Sequence, residues 1–187
     1  PDEKIVDLVK KFGGKGILTK DNHETGTDRV FEVFKETLNS EAEIIVNLQG
    51  DMPNIDPQNI KALIKYMTLG KCEIGTLASE INSETELKDQ NVVKVVVGKK
   101  MSPGMFTKAL DFVRVTSDEK YTYHHIGVYA YKRSTLLRFV KLEKTYNETS
   151  RSLEQMRFID HNIDIIFHFI KHGVENTMNK YSFFAIL

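Results

Sequence analysis

Cysteine occurs once in the 187-residue chain, at Cys72. A lone thiol excludes an intramolecular disulfide and any zinc site built from several cysteines, and it fits a reducing, cytoplasmic compartment. Net charge is also lacking. Lys plus Arg total 26 and Asp plus Glu total 26, so no overall field draws the chain to nucleic acid or to an acidic membrane surface. No apolar run approaches the roughly 18–20 residues that a membrane span needs. Neither an internal repeat nor a low-complexity tract is present. Pro1-Asp2-Glu3, without an initiating Met, leads straight into a helical pattern, and the chain is expected to begin inside a longer fold.

What is there is an ordinary globular composition, 41% hydrophobic and 28% charged, long enough to bury a core as one domain. Ile5, Leu8, Val9 and Phe12 recur at helical spacing until Gly13-Gly14 stops them. Gly16 to Thr19 reads as a short strand, and Thr25 to Leu38 as a second helix. Glu43 to Leu48 is apolar in the manner of a strand buried on both faces. Asp56-Pro57 has the form of a helix start, Asp as cap and Pro at the first position, with Ile60, Leu63, Ile64 and Met67 behind it. Strands are expected at Ile74–Ser79, Val92–Val97, Ala109–Val115, His124–Tyr131 and Ile163–Ile170. Helices are expected at Ser134–Val140 and Leu153–His161, with a polar loop at Asn147–Ser152. The alternation implies an α/β fold, a mostly parallel sheet with helices on both faces.

Two polar clusters stand out. The strand ending at Leu48 runs into Gln49-Gly50-Asp51-Met52-Pro53. Ligands of open α/β sheets sit beyond the carboxyl ends of strands, and a carboxylate there can hold a hard cation against phosphate oxygens. An Asp in a Gly-Asp-x-Pro segment is also often plain turn chemistry. The second cluster, His23 to Arg29, opens a helix whose N–H groups attract anions, while Arg29 offers a bidentate fork. Taken alone it is equally an ordinary N-cap with a solvated arginine.

Together, Thr25-Gly26-Thr27-Asp28-Arg29 followed by Val46-Asn47-Leu48-Gln49-Gly50-Asp51-x-Pro resembles the 3-deoxy-manno-octulosonate (KDO) cytidylyltransferases. Further matches fall in the same order: Asn91 to Val96, the His125-x-Gly-x-Tyr129-x-Tyr131 segment, and Leu153-Glu154-Gln155-Met156-Arg157. The resemblance covers roughly residues 2 to 165. It implies a three-layer, Rossmann-like nucleotide-diphospho-sugar transferase fold. It also implies an enzyme that couples CTP to KDO, forming CMP-KDO for lipopolysaccharide with release of pyrophosphate, with Mg2+ as cofactor. On this reading Asp51 binds the metal, and Asp51 and Arg29 are the catalytic pair. Arg29, Gln49, His125, Tyr129, Glu154 and Gln155 face the substrates. The bland readings of the last four are a core histidine, a sheet-packing tyrosine and a solvated helix face. His124 is expected to point the other way from His125, while His161, His168 and His172 are left structural.

The resemblance also implies a domain over residues 1–165 with a dimerisation-type subregion at 109–140 and a divergent tail at 166–187. Three departures accompany it. The family's first strand and phosphate-gripping loop have no counterpart before residue 25. The family's second metal aspartate is matched only faintly by Glu175. Met52 stands where the family usually has Glu. Expected partners are CTP, KDO and either a second copy or a complementing fragment, with no nucleic acid and no membrane. Two alternatives stay open at this point: an inactive remnant that binds or associates, and a different sugar-nucleotide transferase on the same architecture. A sheet without its first strand is further expected to leave unpaired strand edges.

Overall fold

The structure, a computed structural model, describes residues 2–37, 41–49, 52, 54–118, 120–171 and 184–186, the last three as backbone. Where the sequence reads as one domain over 1–165, the chain separates into two compact units, Pro1–Ala42 and Glu43–Leu187. The first holds α1 (Glu3–Lys11) and α2 (Gly26–Glu36). Asp2 caps α1 by accepting from the Lys4 N–H at 2.9 Å, with Glu3 in the first turn and Lys10 and Lys11 in the last, each complementing the helix dipole. Gly13, at φ +81°, turns the chain back, and Gly14 follows so closely that a Cβ there would lie 2.7 Å from Val9 Cγ1. The expected strand at Gly16–Thr19 does not form, because it has no ladder partner among the described residues. Thr25 caps α2, accepting from the Asp28 N–H at 3.2 Å and donating its hydroxyl to the Asp28 carboxylate at 2.7 Å.

The second unit runs β1 (Ile44–Gln49), α3 (Pro57–Thr68), β2 (Ile74–Ser79), α4 (Glu84–Lys88), β3 (Lys94–Val96), β4 (Phe106–Lys108) and β5 (Asp111–Val113). There follow β6 (Thr122–Lys132), α5 (Arg133–Phe139), α6 (Tyr146–Arg151), α7 (Met156–Asp160), β7 (Ile165–Phe169) and β8 (Phe184–Ile186). Asp56 caps α3 as its sequence demands, accepting from the Gln58 N–H at 2.8 Å. Ile60, Leu63 and Met67 then bury against Val46, Leu77, Ile126 and Val128 on one face of the sheet. Gly75 permits that approach, since a Cβ on it would meet Leu63 Cδ1 at 2.5 Å. The opposite face is covered by aromatics. Tyr131 stacks with Phe158 of α7 at 6.0 Å, and Phe158 with Phe139 of α5 at 4.1 Å. Helices therefore lie on both faces, as the α/β reading expects.

Strand direction needs a correction. The main sheet order is β4-β7-β2-β6-β1-β8, with β3 joined to β6 and to β5. Among the described strands only β2 with β7 is parallel; the other pairings are antiparallel. The α3 crossover does make β1 and β2 point the same way, but β6 is inserted between them in the opposite sense. Helix–strand alternation sets direction and is silent about which strand arrives in between.

Residue 165 is the first of β7, which pairs with β2 over its whole length. Two further expectations change. The polar stretch from 147 to 151 belongs to a helix, α6, opened by a Thr145–Glu148 capping box and ended by Ser152, and Leu153–Gln155 is a turn before α7. The edge of β1 away from β6 is not open: β8 pairs there through Asn47, Leu48 and Gln49.

Candidate active site

Strand alternation sends Asn47 and Gln49 of β1 to the face opposite α3. Asn47 is registered against Tyr129 of β6, and Tyr129 in turn against Thr76 of β2. This row of polar side chains crosses the centre of the sheet, and all three are buried. Its register breaks between Thr76 and Leu77, which face Tyr129 and Ile126 respectively, so β6 bulges at Gly127 and Val128. The bulge carries a residue without a side chain, and the Gln49 amide occupies that space: a Cβ on Gly127 would lie 3.0 Å from Gln49 Oε1. His125 completes the row, its Nε2 3.0 Å from Thr76 Oγ1. Gln49, His125 and Tyr129, expected from sequence, are thus gathered on one surface.

Electrostatics keep the row neutral. Burial lowers the His125 imidazole to about 3, with His124 adding to the effect. Burial also raises the Tyr129 phenol well above its ordinary value, with Tyr131 and then the Glu154 carboxylate contributing. Among the described residues, Asn47 Oδ1, Tyr129 OH and, outside the row, His168 Nδ1 are buried with no side-chain hydrogen-bond partner. Such atoms cost on the order of 1–3 kcal/mol each, so each needs a partner from outside the described side chains, a water or a ligand.

Glu154 and Gln155 sit in the turn between α6 and α7, Gln155 buried. Two devices hold that turn. Arg157 forms a bidentate pair with Glu148, Nε to Oε2 at 2.7 Å, both side chains buried. Arg114 donates to the carbonyls of Arg151 at 3.1 Å and Ser152 at 2.9 Å, and Ser152 itself has φ +52°.

Arg29 stands in the first turn of α2, where its Nη1 donates to Thr19 Oγ1 and to the Lys20 carbonyl, anchoring the preceding loop within its own unit. Asp51, with Gly50 and Pro53, lies outside the described residues, as do His172 and Glu175. The Met52 N–H donates to the Gln49 carbonyl at 3.1 Å, closing a turn at the end of β1, and the Met52 side chain enters the α3 core. An apolar residue at this place is therefore a packing residue. No group of three His, Cys, Asp or Glu side chains able to hold a metal occurs among the described residues. His124 points away from the row and binds Glu86 at 2.6 Å, His161 meets the Glu143 carbonyl at 3.2 Å, and His168 stacks on Phe106 at 4.4 Å. Sequence reasoning missed Asn47 and Thr76. Asn47 was recoverable, being two residues before Gln49 on the same strand.

The cytidylyltransferase family model matches residues 1–165. A 3-deoxy-manno-octulosonate cytidylyltransferase of Brucella ovis is 39% identical over 172 residues, spanning 90% of this chain and 68% of that protein. The solved structure of a CMP:2-keto-3-deoxy-manno-octonic acid synthetase complexed with CTP superposes with a TM-score of 0.78 at 34% identity. It covers 94% of this chain and 73% of that one. The 4-diphosphocytidyl-2C-methyl-D-erythritol synthase of Anaerococcus prevotii shares the fold alone, at 15% identity and a TM-score of 0.56 over 96% of this chain and 71% of that one. Identity of this extent, over a sheet of the same build, means that the chain belongs to the 3-deoxy-manno-octulosonate cytidylyltransferase family.

Proposed function

We propose that this protein activates KDO with CTP, giving CMP-KDO and pyrophosphate, a step that serves lipopolysaccharide synthesis. The observation that carries the reading is the buried polar row Asn47–Tyr129–Thr76–His125, with the Gln49 amide seated on Gly127 at the carboxyl end of β1. A hydroxyl-rich sugar is the kind of ligand that supplies partners to orphaned amide and phenol oxygens. In the reaction the anomeric hydroxyl oxygen bonds to the α-phosphorus and the bond to the bridging oxygen breaks. Pyrophosphate takes the electron pair, and the hydroxyl loses its proton. Such transfer depends on placement and charge neutralisation more than on covalent help from the protein. Gln49 offers both a donor and an acceptor. Tyr129 stays a phenol, and His125 stays neutral. These groups orient the sugar without adding negative charge beside the triphosphate.

Arg29 is assigned to the substrate anions and Asp51 to magnesium. Asp51 lies two residues past Gln49, the last residue of β1, where ligands of such sheets gather. Magnesium is commonly held by one or two carboxylates together with substrate phosphates, so it needs no dense protein cage. Its contribution there would be to neutralise phosphate charge. Glu154 and Gln155 are assigned to the sugar side. A homodimer through residues 109–140 belongs to the same proposal, supported by Leu110, Val115 and Leu137, large apolar side chains that stand exposed in that stretch. Cytoplasmic residence follows from the use of CTP and from the single cysteine. Among the described residues no helix is long and apolar enough to cross a membrane.

The test is pyrophosphate release by the purified chain with CTP, KDO and magnesium. Turnover should depend on KDO and fall by about 100-fold or more in Asp51→Ala, the scale of removing an electrostatic stabiliser. Release that ignores KDO would overturn the substrate, and release that survives Asp51→Ala would overturn the metal assignment. Light scattering that shows monomer alone would remove the dimer.

A further inference from the structure

Thr76 is fully buried on β2 at the step where the ladder with β6 breaks. Its hydroxyl oxygen has three neighbours: the Val128 carbonyl at 2.8 Å, the Ile126 carbonyl at 3.2 Å and His125 Nε2 at 3.0 Å. A threonine hydroxyl has one proton and two lone pairs. Carbonyl oxygens can only accept, so the proton serves the bulge, with Val128 the nearer acceptor. Towards the imidazole the hydroxyl then presents only lone pairs, and the nitrogen facing it must carry the hydrogen.

We propose that Thr76 is a positioning residue that holds His125 in the Nε2–H tautomer, which leaves Nδ1 as the ring's acceptor for a hydroxyl of the substrate. This rests on the reading of His125 as a sugar-facing group. The ring is further fixed by Phe112, edge-on at 5.0 Å between centroids, and by Tyr129 at 5.4 Å. Burial keeps the ring neutral, so the choice lies between two tautomers, and which nitrogen carries the proton is set by the partner of the other. A lone pair at Nδ1 repels carboxylate and phosphate oxygens and accepts from a hydroxyl. The substrate therefore turns a hydroxyl, not its carboxylate, to this side chain.

The tautomer is read from long-range 1H–15N correlations of the imidazoles in the 13C,15N-labelled chain, with His125 assigned through bonds to its own backbone resonances. The wild-type spectrum alone decides the first part: Nε2–H is expected, and an Nδ1–H pattern overturns the proposal even if no variant folds. Thr76→Val should mix the tautomers and lower kcat/KM for KDO roughly tenfold, the scale of one hydrogen bond, with the KM for CTP unchanged. Thr76→Ser, which keeps the hydroxyl, should restore both. A Thr76→Val protein with wild-type tautomer and KDO kinetics overturns the proposal. If the Thr76 series alters the tautomer while His125→Asn leaves KDO kinetics untouched, the sugar-facing reading of His125 fails, and with it the functional half of the proposal; the tautomer assignment would still stand.

Discussion

Replacing Glu148 by Gln changes one charge and almost nothing else. Gln is as competent as Glu at the third position of a capping box, so the reach back to the Thr145 N–H, 3.4 Å away, is preserved. What is lost is the carboxylate charge that faces Arg157. Glu148 and Arg157 are 6% and 4% exposed, and the guanidinium is packed 4.4 Å over the Phe139 ring, so it has no easy route to water. Breaking a buried pair by removing one partner costs about 3–5 kcal/mol, roughly a fifth or more of a typical stability of about 5–15 kcal/mol. With a urea m-value of about 2 kcal/mol/M, the midpoint should fall by about 1.5–2.5 M. Glu148→Leu with Arg157→Met should recover most of that loss, because an apolar pair removes both desolvation terms. The KM for KDO should rise in Glu148→Gln, since the pair fixes the turn that carries Glu154 and Gln155. A loss below about 1 kcal/mol, the value of an exposed pair, would refute the reasoning.

Three further outcomes are expected. Gly75→Ala should cost about 1–3 kcal/mol by overpacking, because its Cβ would meet Leu63 Cδ1 at 2.5 Å. Combined with Leu63→Ala, it should cost less than the two single changes added together, by about 1–2 kcal/mol in a double-mutant cycle; strict additivity would deny the contact. His125 lies at about 3 in the folded chain against an ordinary 6.5, so the unfolded chain takes its proton first. Its contribution is present above pH 6.5 and declines as the pH falls towards 3, by up to about 1.4 kcal/mol per pH unit. Urea melts at pH 7 and 5 should therefore show wild type losing about 2 kcal/mol more than His125→Gln, and parallel losses would count against the assignment. Gly127→Ala lies at an ordinary φ and meets only the end of the Gln49 side chain. Urea melts should show stability within about 0.5 kcal/mol of wild type, while KDO turnover falls as the Gln49 amide is displaced; unchanged turnover would show that Gln49 does not face the sugar.

Elements with a local cause were legible. Helix α3 announces itself through Asp56 and Pro57, and β2 through an apolar run whose limits, Ile74 and Ser79, are those found. Helix α6 was missed because Tyr146 to Arg151 has no apolar stripe, although Thr145 and Glu148 spell its capping box. Helix α4 has the same kind of signal, Ser83 accepting from the Glu86 N–H at 3.1 Å, over only five residues. The place of β6 between β1 and β2 has no local signal at all, since pairing partners far apart in the chain are chosen by packing. The site divides in the same way. Gln49, His125 and Tyr129 were readable as motif residues, and Asn47 by alternation with Gln49. Thr76 was not, because a threonine in a strand reads as a plain β-former until the bulge beside it is seen.

The insertion of β6 has a consequence for the nascent chain. Strands β1 and β2 are synthesised, together with α3, well before residues 122–132 exist, yet each needs β6 for the hydrogen bonds of one edge. While the ribosome works through the intervening stretch, two ready-made backbone templates wait without the segment that zips them together, and such edges recruit any extended peptide nearby. Translation speed between residues 79 and 132, and holdase cover over that interval, should therefore govern how much of this enzyme reaches its native state.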